Sequence, residues 1–255
     1  GIDEMAMTKE VIYEVSSTVD CPLCIDTSHI DVMEEALRIY PGRALINSIS
    51  YESAKCDEML RIAKKYGAMF ILLPLSDAGL PENSREKHEI LEKIYEKAIS
   101  YGIAHEDIIV DALVTTVGAN AAAGVECFET ISYCKEEKKL PTICGLSNIS
   151  FGLPARDAIN GTFFAMALTA GLSAAIMNPH SPDMMRTYHT YRALKGLDES
   201  FAGYIRYAET LPVTTPAAGQ GSTPVDGVPA KKTAAEGATP LQKAIIKGLK
   251  EQAAA

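Results

Sequence analysis

Six times along this chain, a short apolar run ends near a small polar residue and gives way to an amphipathic segment. Strands that are buried on both faces read as continuous apolar runs. Strict alternation of such strands with helices indicates parallel strands joined by right-handed crossovers, and therefore an α/β protein. The runs lie at residues 22–26, 44–47, 70–73, 108–111, 142–144 and 175–178.

The intervening segments predict helices by their apolar spacing and their end signals. Predicted helices cover residues 3–15, 28–40, 53–65, 83–101, 121–137 and 157–170, and a further helix starts at Ser181-Pro182. Ser28 and Asp31 have the spacing of a capping box. A doubly wound dinucleotide-binding sheet usually carries a Gly-rich turn after its first strand, and residues 26–29 (DTSH) are not one. The sequence therefore favours a barrel.

Polar side chains stand at the carboxyl ends of the runs, where parallel sheets place their ligand chemistry. The candidate ligands are Asp26, Asn47, Asp111 and Asn148. Any one of them alone is better explained as an N-cap for the following helix, but four together within matching local strings favour a ligand site. Asp77 and Asn178 are predicted to be loop or cap residues. A ring of carboxylates and amides predicts a site for a polar, nitrogen-rich small molecule.

The charge balance excludes several classes of partner. A net charge of -9 and a pI near 5.1 argue against nucleic acid or an anionic membrane. No signal peptide is evident and no apolar stretch reaches about 20 residues, which predicts a cytoplasmic protein. Of the six cysteines, Cys21 and Cys24 lack a second CxxC partner pair, so the cysteines are predicted to be structural, with no bound metal.

The most specific string is GLSNISFGLPAR at residues 145–156. Together with residues 25–28 (IDTS) and 46–48 (INS), it closely resembles the pterin-binding methyltransferases. This family includes the methyltetrahydrofolate-binding domain of cobalamin-dependent methionine synthase and the methyltetrahydrofolate:corrinoid/iron-sulfur protein methyltransferases. The resemblance covers residues 1–209 and implies a (β/α)8 TIM-type barrel with the pterin at the carboxyl ends of its strands.

The resemblance implies roles for individual residues. Asp26, Asn47 and Asp111 would hydrogen-bond the pterin, and Arg156 occupies another binding position. Asn148 matches the family residue that reaches N5, from which the methyl group leaves, and is the predicted catalytic residue. A neutral amide at this position would stabilise the protonated, departing N5.

The chain departs from the family at both ends. Two family strings, Glu-Arg-x-Asn and Asp-x-Asn-x-Gly, are not found, so residues 1–210 are expected to be a partial barrel that lacks the first two strands. Residues 211–240, rich in Pro, Gly, Ala and Thr, predict a flexible linker. Residues 241–255 are expected to start the cap helix of a following cobalamin module. Phe151 stands where a family member carries Gln, so the ligand contact of that Gln is not expected in this chain.

The predicted function is transfer of the N5 methyl of 5-methyltetrahydrofolate to Co(I) of a corrinoid, as part of methionine synthesis. The corrinoid would be carried by a partner domain or protein, and a homodimer is also expected. One alternative is a dihydropteroate synthase-like enzyme, but the expected strand-end lysine is replaced by Ser147-Asn148. The other alternative is a non-catalytic fragment that binds a corrinoid partner.

Overall fold

A computed structural model of the chain describes residues 3–211. The expected linker at 211–240 and cap helix at 241–255 therefore lie almost wholly outside the described residues. The strands are β1 (Cys24–Asp26), β2 (Leu45–Tyr51), β3 (Met69–Ser76), β4 (Ile108–Asp111) and β5 (Thr142–Ile143). The α-helices are α1 (Glu4–Thr18), α2 (Ile30–Ile39), α3 (Cys56–Tyr66), α4 (Ser84–Ser100), α5 (Ala123–Tyr133), α6 (Arg156–Ala170), α7 (Pro182–Leu194) and α8 (Ala202–Glu209).

All strand pairs are parallel, and the order across the sheet is β1-β2-β3-β4-β5. This arrangement confirms the predicted α/β class with helical crossovers. The sixth predicted strand is only a bridge between Gly145 and Ile176. Ile176 is 44% exposed, and within residues 3–211 no strand lies on its outer side, so the segment lacks the second partner that would extend it.

Most helix ends follow the sequence signals. Asp3 caps α1 through the Ala6 N–H, and Asn83 caps α4 through the Glu86 N–H. The predicted capping box at Ser28 is wrong, because α2 begins at Ile30 after His29. Within residues 3–211, no side chain caps α2. Just before this helix, the Thr27 hydroxyl accepts the His29 N–H at 3.2 Å and donates to the Glu4 carboxylate at 2.5 Å.

The helix predicted at 121–137 divides into α5 and a π-helical turn, Cys134–Lys138. The turn ends at Lys139, which has a φ of +56°. Leu140 then donates its N–H to the Cys134 carbonyl at 3.0 Å, which closes the wider turn ahead of β5.

The sheet is apolar on both faces. Towards the helices, side chains such as Ile46, Phe70 and Leu72 are fully buried against α3 and α4. On the opposite face, Ile71, Ile109 and Ile143 form a separate small cluster. A second large cluster joins α5, α6 and α7 around Phe163, Phe164 and Met184.

Candidate functional site

The pleat of the strands places three of the predicted ligands on one face of the sheet. Successive side chains in a strand point to opposite faces, so residues two apart share a face. Asp111 is two residues after Ile109, and Asn47 is two residues after Leu45, both of which belong to the cluster around Ile71. Asp26 is the register partner of Asn47 in the neighbouring strand. These polar side chains therefore continue the small apolar face towards the carboxyl ends of the strands.

Asp26 and Asn47 form a direct pair. The Asn47 amide donates to the Asp26 carboxylate, with 3.1 Å between Nδ2 and Oδ2. Asp26 is exposed and Asn47 is half-buried. Both line a pocket of about 260 Å³, whose other polar walls include Thr27, Ser48 and Ser50. The structure therefore brings a carboxylate acceptor and an amide together in the wall of one pocket.

Asp111 ends β4 and shapes the turn that follows. Its Oδ1 accepts the Leu113 N–H at 2.8 Å, and Leu113 has a φ of +47°, in the left-handed region that bulky residues avoid. Burial raises the pKa of the Asp111 carboxyl from 3.8 to about 6, although the Leu113 N–H and the Lys87 ammonium act in the opposite direction. Near neutral pH this half-buried carboxyl is an ionised hydrogen-bond acceptor within reach of protonation.

Lys87 is a component of the site that we did not predict from the sequence. It lies in α4 and is only 3% exposed, and its Nζ donates to the carbonyls of Ala112 and Leu113 at 3.1 and 3.0 Å. The sequence does carry a signal, because Lys87 precedes the buried Ile90 and Leu91 by three and four residues. That spacing places a lysine on the apolar face of its helix.

Asn148 lies in a short 3₁₀ helix, Leu146–Ser150, immediately after β5. Leu146 and Ile149 anchor this turn in the core, whereas Ser147 and Asn148 are exposed. Among residues 3–211, no hydrogen bond involves the Asn148 side chain. The turn therefore holds an amide at the strand end with its donor and acceptor available to a ligand.

Arg156, the predicted fifth ligand, supports this turn from the start of α6. Its Nη2 donates to the Ser147 carbonyl at 2.7 Å, and its Nε donates to the Ser150 hydroxyl at 3.0 Å. Ser150 in turn donates to the Asn160 side chain at 2.7 Å. The Arg156 guanidinium thus stabilises the turn that carries Asn148, a role that the sequence of residues 145–156 did not reveal. Direct contact of Arg156 with a pterin stays a prediction.

Removing the Arg156 side chain is expected to loosen the turn that carries Asn148. We expect Arg156→Ala to lower the free energy of unfolding by about 1 kcal/mol, because two hydrogen bonds of a partly solvated cation are lost. Arg186→Ala is the matched control, since Arg186 is also in a helix and its guanidinium pairs with Asp183, one turn away. Urea unfolding of both variants measures the difference. Unchanged stability of Arg156→Ala together with lost folate affinity would contradict the supporting role.

Other polar and sulfur-bearing residues have local contacts. Asp77 accepts the Ser53 N–H at 3.1 Å, and Asn178 accepts the His180 N–H at 2.9 Å, so both serve loops. Four of the six cysteines are buried, as expected for structural cysteines. The other two, Cys21 and Cys24, are exposed. In the part of the chain that the structure describes, no group of three or more His, Cys, Asp or Glu side chains could hold a metal ion. Across residues 3–211, the helices are too short or too polar to traverse a bilayer.

An open sheet of parallel strands with carboxylates and amides near its carboxyl edge is the arrangement of α/β proteins that place their ligand sites at the carboxyl ends of the strands. The comparison with known families specifies this class. The model of the pterin binding enzymes matches residues 1–178, and the chain belongs to this family.

Relatives of known name are similar over most of the chain. A methylcorrinoid:tetrahydrofolate methyltransferase from Eubacterium limosum is 28% identical over 198 residues, which are 76% of this chain and 73% of the relative. Methionine synthases from Mycobacterium tuberculosis and Mycobacterium leprae are each 28% identical over 191 residues. These residues are 70% of this chain but only 16% of either synthase.

Solved structures with the same fold are dihydropteroate synthases. The enzyme from Yersinia pestis superimposes with a TM-score of 0.61 at 19% identity, over 73% of this chain and 77% of that one. The enzyme from Clostridium difficile gives a TM-score of 0.58 at 19% identity, over 76% of each chain. At this identity the likeness establishes the barrel-type fold.

Proposed function

We propose that this chain is a methyltransferase that binds 5-methyltetrahydrofolate and transfers its N5 methyl group to the Co(I) centre of a corrinoid carried by a partner. The carrying observation is the placement of Asp26, Asn47 and Asp111 on one face of the sheet, with Asn148 in the turn after the last strand. The names of the relatives, a methylcorrinoid:tetrahydrofolate methyltransferase and two methionine synthases, support the methyltransferase class.

The strand-end groups suit the edge of a pterin. That edge presents amide and amino donors beside ring-nitrogen acceptors. The contact between Asp26 and Asn47 uses one carboxylate oxygen and one amide N–H, which leaves Asp26 Oδ1 and Asn47 Oδ1 as further acceptors in the pocket. The ionised Asp111 would accept hydrogen bonds from pterin N–H groups on the same face of the sheet. A site built from such groups rejects an analogue that leaves them unpaired.

Methyl transfer requires N5 to become a better leaving group. As the N5–methyl bond breaks, N5 keeps the bonding electron pair and takes up a proton that derives from solvent. Asn148 is neutral at every accessible pH, so it acts by holding a hydrogen bond to N5 and not as an acid. The corrinoid, when bound, supplies the electron pair of Co(I) that accepts the methyl group.

The direction of transfer in this chain is proposed from folate to corrinoid, towards methionine. The same groups would catalyse the reverse reaction, since the forward and reverse reactions share a transition state. The chain spans 16% of the length of the mycobacterial methionine synthases, so homocysteine and its activation are assigned to protein outside the matched region.

Folate binding by the Asp26–Asn47 pair is tested by titration calorimetry. We expect 5-methyltetrahydrofolate to bind the wild-type chain and to bind Asn47→Ala about 10-fold to 100-fold more weakly, because the change leaves Asp26 without its partner. Asp77→Asn is the matched control, since Asp77 also follows a strand and its carboxylate accepts the N–H of Ser53 in the loop before α3. Equal affinity of Asn47→Ala and Asp77→Asn would contradict the proposed binding site.

A further inference from the structure

Lys87 carries a buried positive charge whose purpose the fold alone does not explain. It is 3% exposed, and none of the ion pairs within residues 3–211 includes it. A buried ammonium without a paired carboxylate is costly compared with an apolar side chain of similar size. An uncharged residue at this position would fit the apolar face of α4, so the charge itself calls for a role.

The ammonium is directed at the turn that Asp111 begins. Lys87 Nζ binds the Ala112 and Leu113 carbonyls, while the Asp111 carboxylate binds the Leu113 N–H. Hydrogen bonds to both carbonyls and to the Leu113 N–H therefore hold this turn, and they stabilise the left-handed backbone of Leu113. An unfavourable backbone conformation of this kind persists only where the surrounding contacts hold it in place. Such conformations are common at ligand sites.

We propose that Lys87 is a positioning residue for the folate site: its buried ammonium fixes the Ala112–Leu113 turn and so holds the Asp111 carboxylate in place as an acceptor for the pterin N–H groups. This inference rests on the proposed function. It adds a residue from the helical layer to a site that the sequence assigned only to strand ends and their loops.

The charged and titratable surroundings agree with this assignment. Burial lowers the pKa of the Lys87 ammonium, and nearby acidic groups oppose that change. Lys87 in turn lowers the pKa of Asp111 against the larger effect of burial. The other titratable groups that face the two residues come from α4, α5 and the end of β5, and they are His88, Glu126, Cys127, Glu129 and Cys144. Lys87 is the cation among them that acts on Asp111.

The test follows the Asp111 carboxyl directly by carbon-13 NMR of the ligand-free chain, with the signal assigned by its loss in Asp111→Asn. We expect a wild-type midpoint near pH 6. Lys87→Met and Lys87→Gln should raise the midpoint by about one pH unit, because the neighbouring positive charge is gone. Both variants should also weaken 5-methyltetrahydrofolate binding about tenfold near neutral pH, as expected for a carboxylate that is displaced and more readily protonated.

Lys93→Met is the matched control, with the same substitution at an exposed position of α4. Lys87→Gln keeps an N–H donor and decides the question if Lys87→Met fails to fold. An unshifted Asp111 midpoint, or a shifted midpoint with folate affinity equal to that of Lys93→Met, would overturn the proposal. Failure of the wild-type chain to bind folate would refute the proposed function instead, and the NMR titration would still report on the link between Lys87 and Asp111.

Discussion

Replacing Asn148 with alanine is expected to lower the rate of methyl transfer about 100-fold to 1000-fold, the usual loss when one preorganised donor to the reacting atom is removed. Folate affinity should change by less than about tenfold, because the pterin edge is held by residues of other strands. The exposed amide lies in a turn anchored by Leu146 and Ile149, so the substitution leaves the fold intact. Stopped-flow measurement of methyl transfer to cob(I)alamin checks the rate.

The matched control is Ser147→Ala, a truncation at the adjacent exposed position of the same turn. Arg156 contacts the Ser147 main-chain carbonyl and not its hydroxyl, so the turn should keep its shape. Ser147→Ala should transfer the methyl group at close to the wild-type rate. A similar rate for Asn148→Ala and Ser147→Ala would refute the catalytic role of the Asn148 amide.

Replacing Asp111 with asparagine is expected to weaken binding and strengthen the fold at once. For binding, an amide supplies one acceptor where the carboxylate supplied two, so 5-methyltetrahydrofolate affinity should fall about 10-fold to 100-fold. Asparagine can still accept the Leu113 N–H, so the turn after β4 is retained. Calorimetry near neutral pH measures the loss.

The gain in stability follows from the raised pKa of Asp111. A carboxyl with a folded-state pKa of about 6 and an ordinary value of 3.8 favours folding most strongly below pH 3.8, and this contribution is lost as the pH rises through 6. The difference of about two pKa units corresponds to about 3 kcal/mol. An asparagine side chain does not titrate, so Asp111→Asn should be up to about 3 kcal/mol more stable than wild type above pH 6 and no more stable near pH 4. Urea unfolding at both pH values would contradict this account if the gain were the same at each.

The parallel α/β architecture was predictable because it depends on patterns within short segments of the sequence. Continuous apolar runs identified the strands, and Asn83 as N-cap and Pro182 as first helical residue are helix-start signals that the structure uses. The strand-end positions of Asp26, Asn47 and Asp111 followed directly from these runs. Their common face follows from the period of two along each strand.

The features that sequence reasoning missed depend on contacts between distant segments. Just before α2, the Thr27 hydroxyl binds the carboxylate of Glu4, more than twenty residues earlier, a contact that the local pattern at Ser28 and Asp31 does not contain. Lys87 was not singled out because a lysine near the start of a helix is usually solvated, and the carbonyls after β4 that bind its ammonium are visible only in the structure. The supporting contacts of Arg156 likewise depend on the path of the turn after β5.

The central claim is that this chain moves the methyl group of 5-methyltetrahydrofolate to a corrinoid. The most direct measurement incubates the 255-residue chain with methyl-labelled 5-methyltetrahydrofolate and cob(I)alamin, and follows both the corrinoid spectrum and the label. We predict loss of the Co(I) absorbance with stoichiometric appearance of the label on the corrinoid, at a rate that Asn148→Ala reduces at least about 100-fold. Tight folate binding with no transfer above the rate without protein would contradict the claim and leave only a folate-binding module.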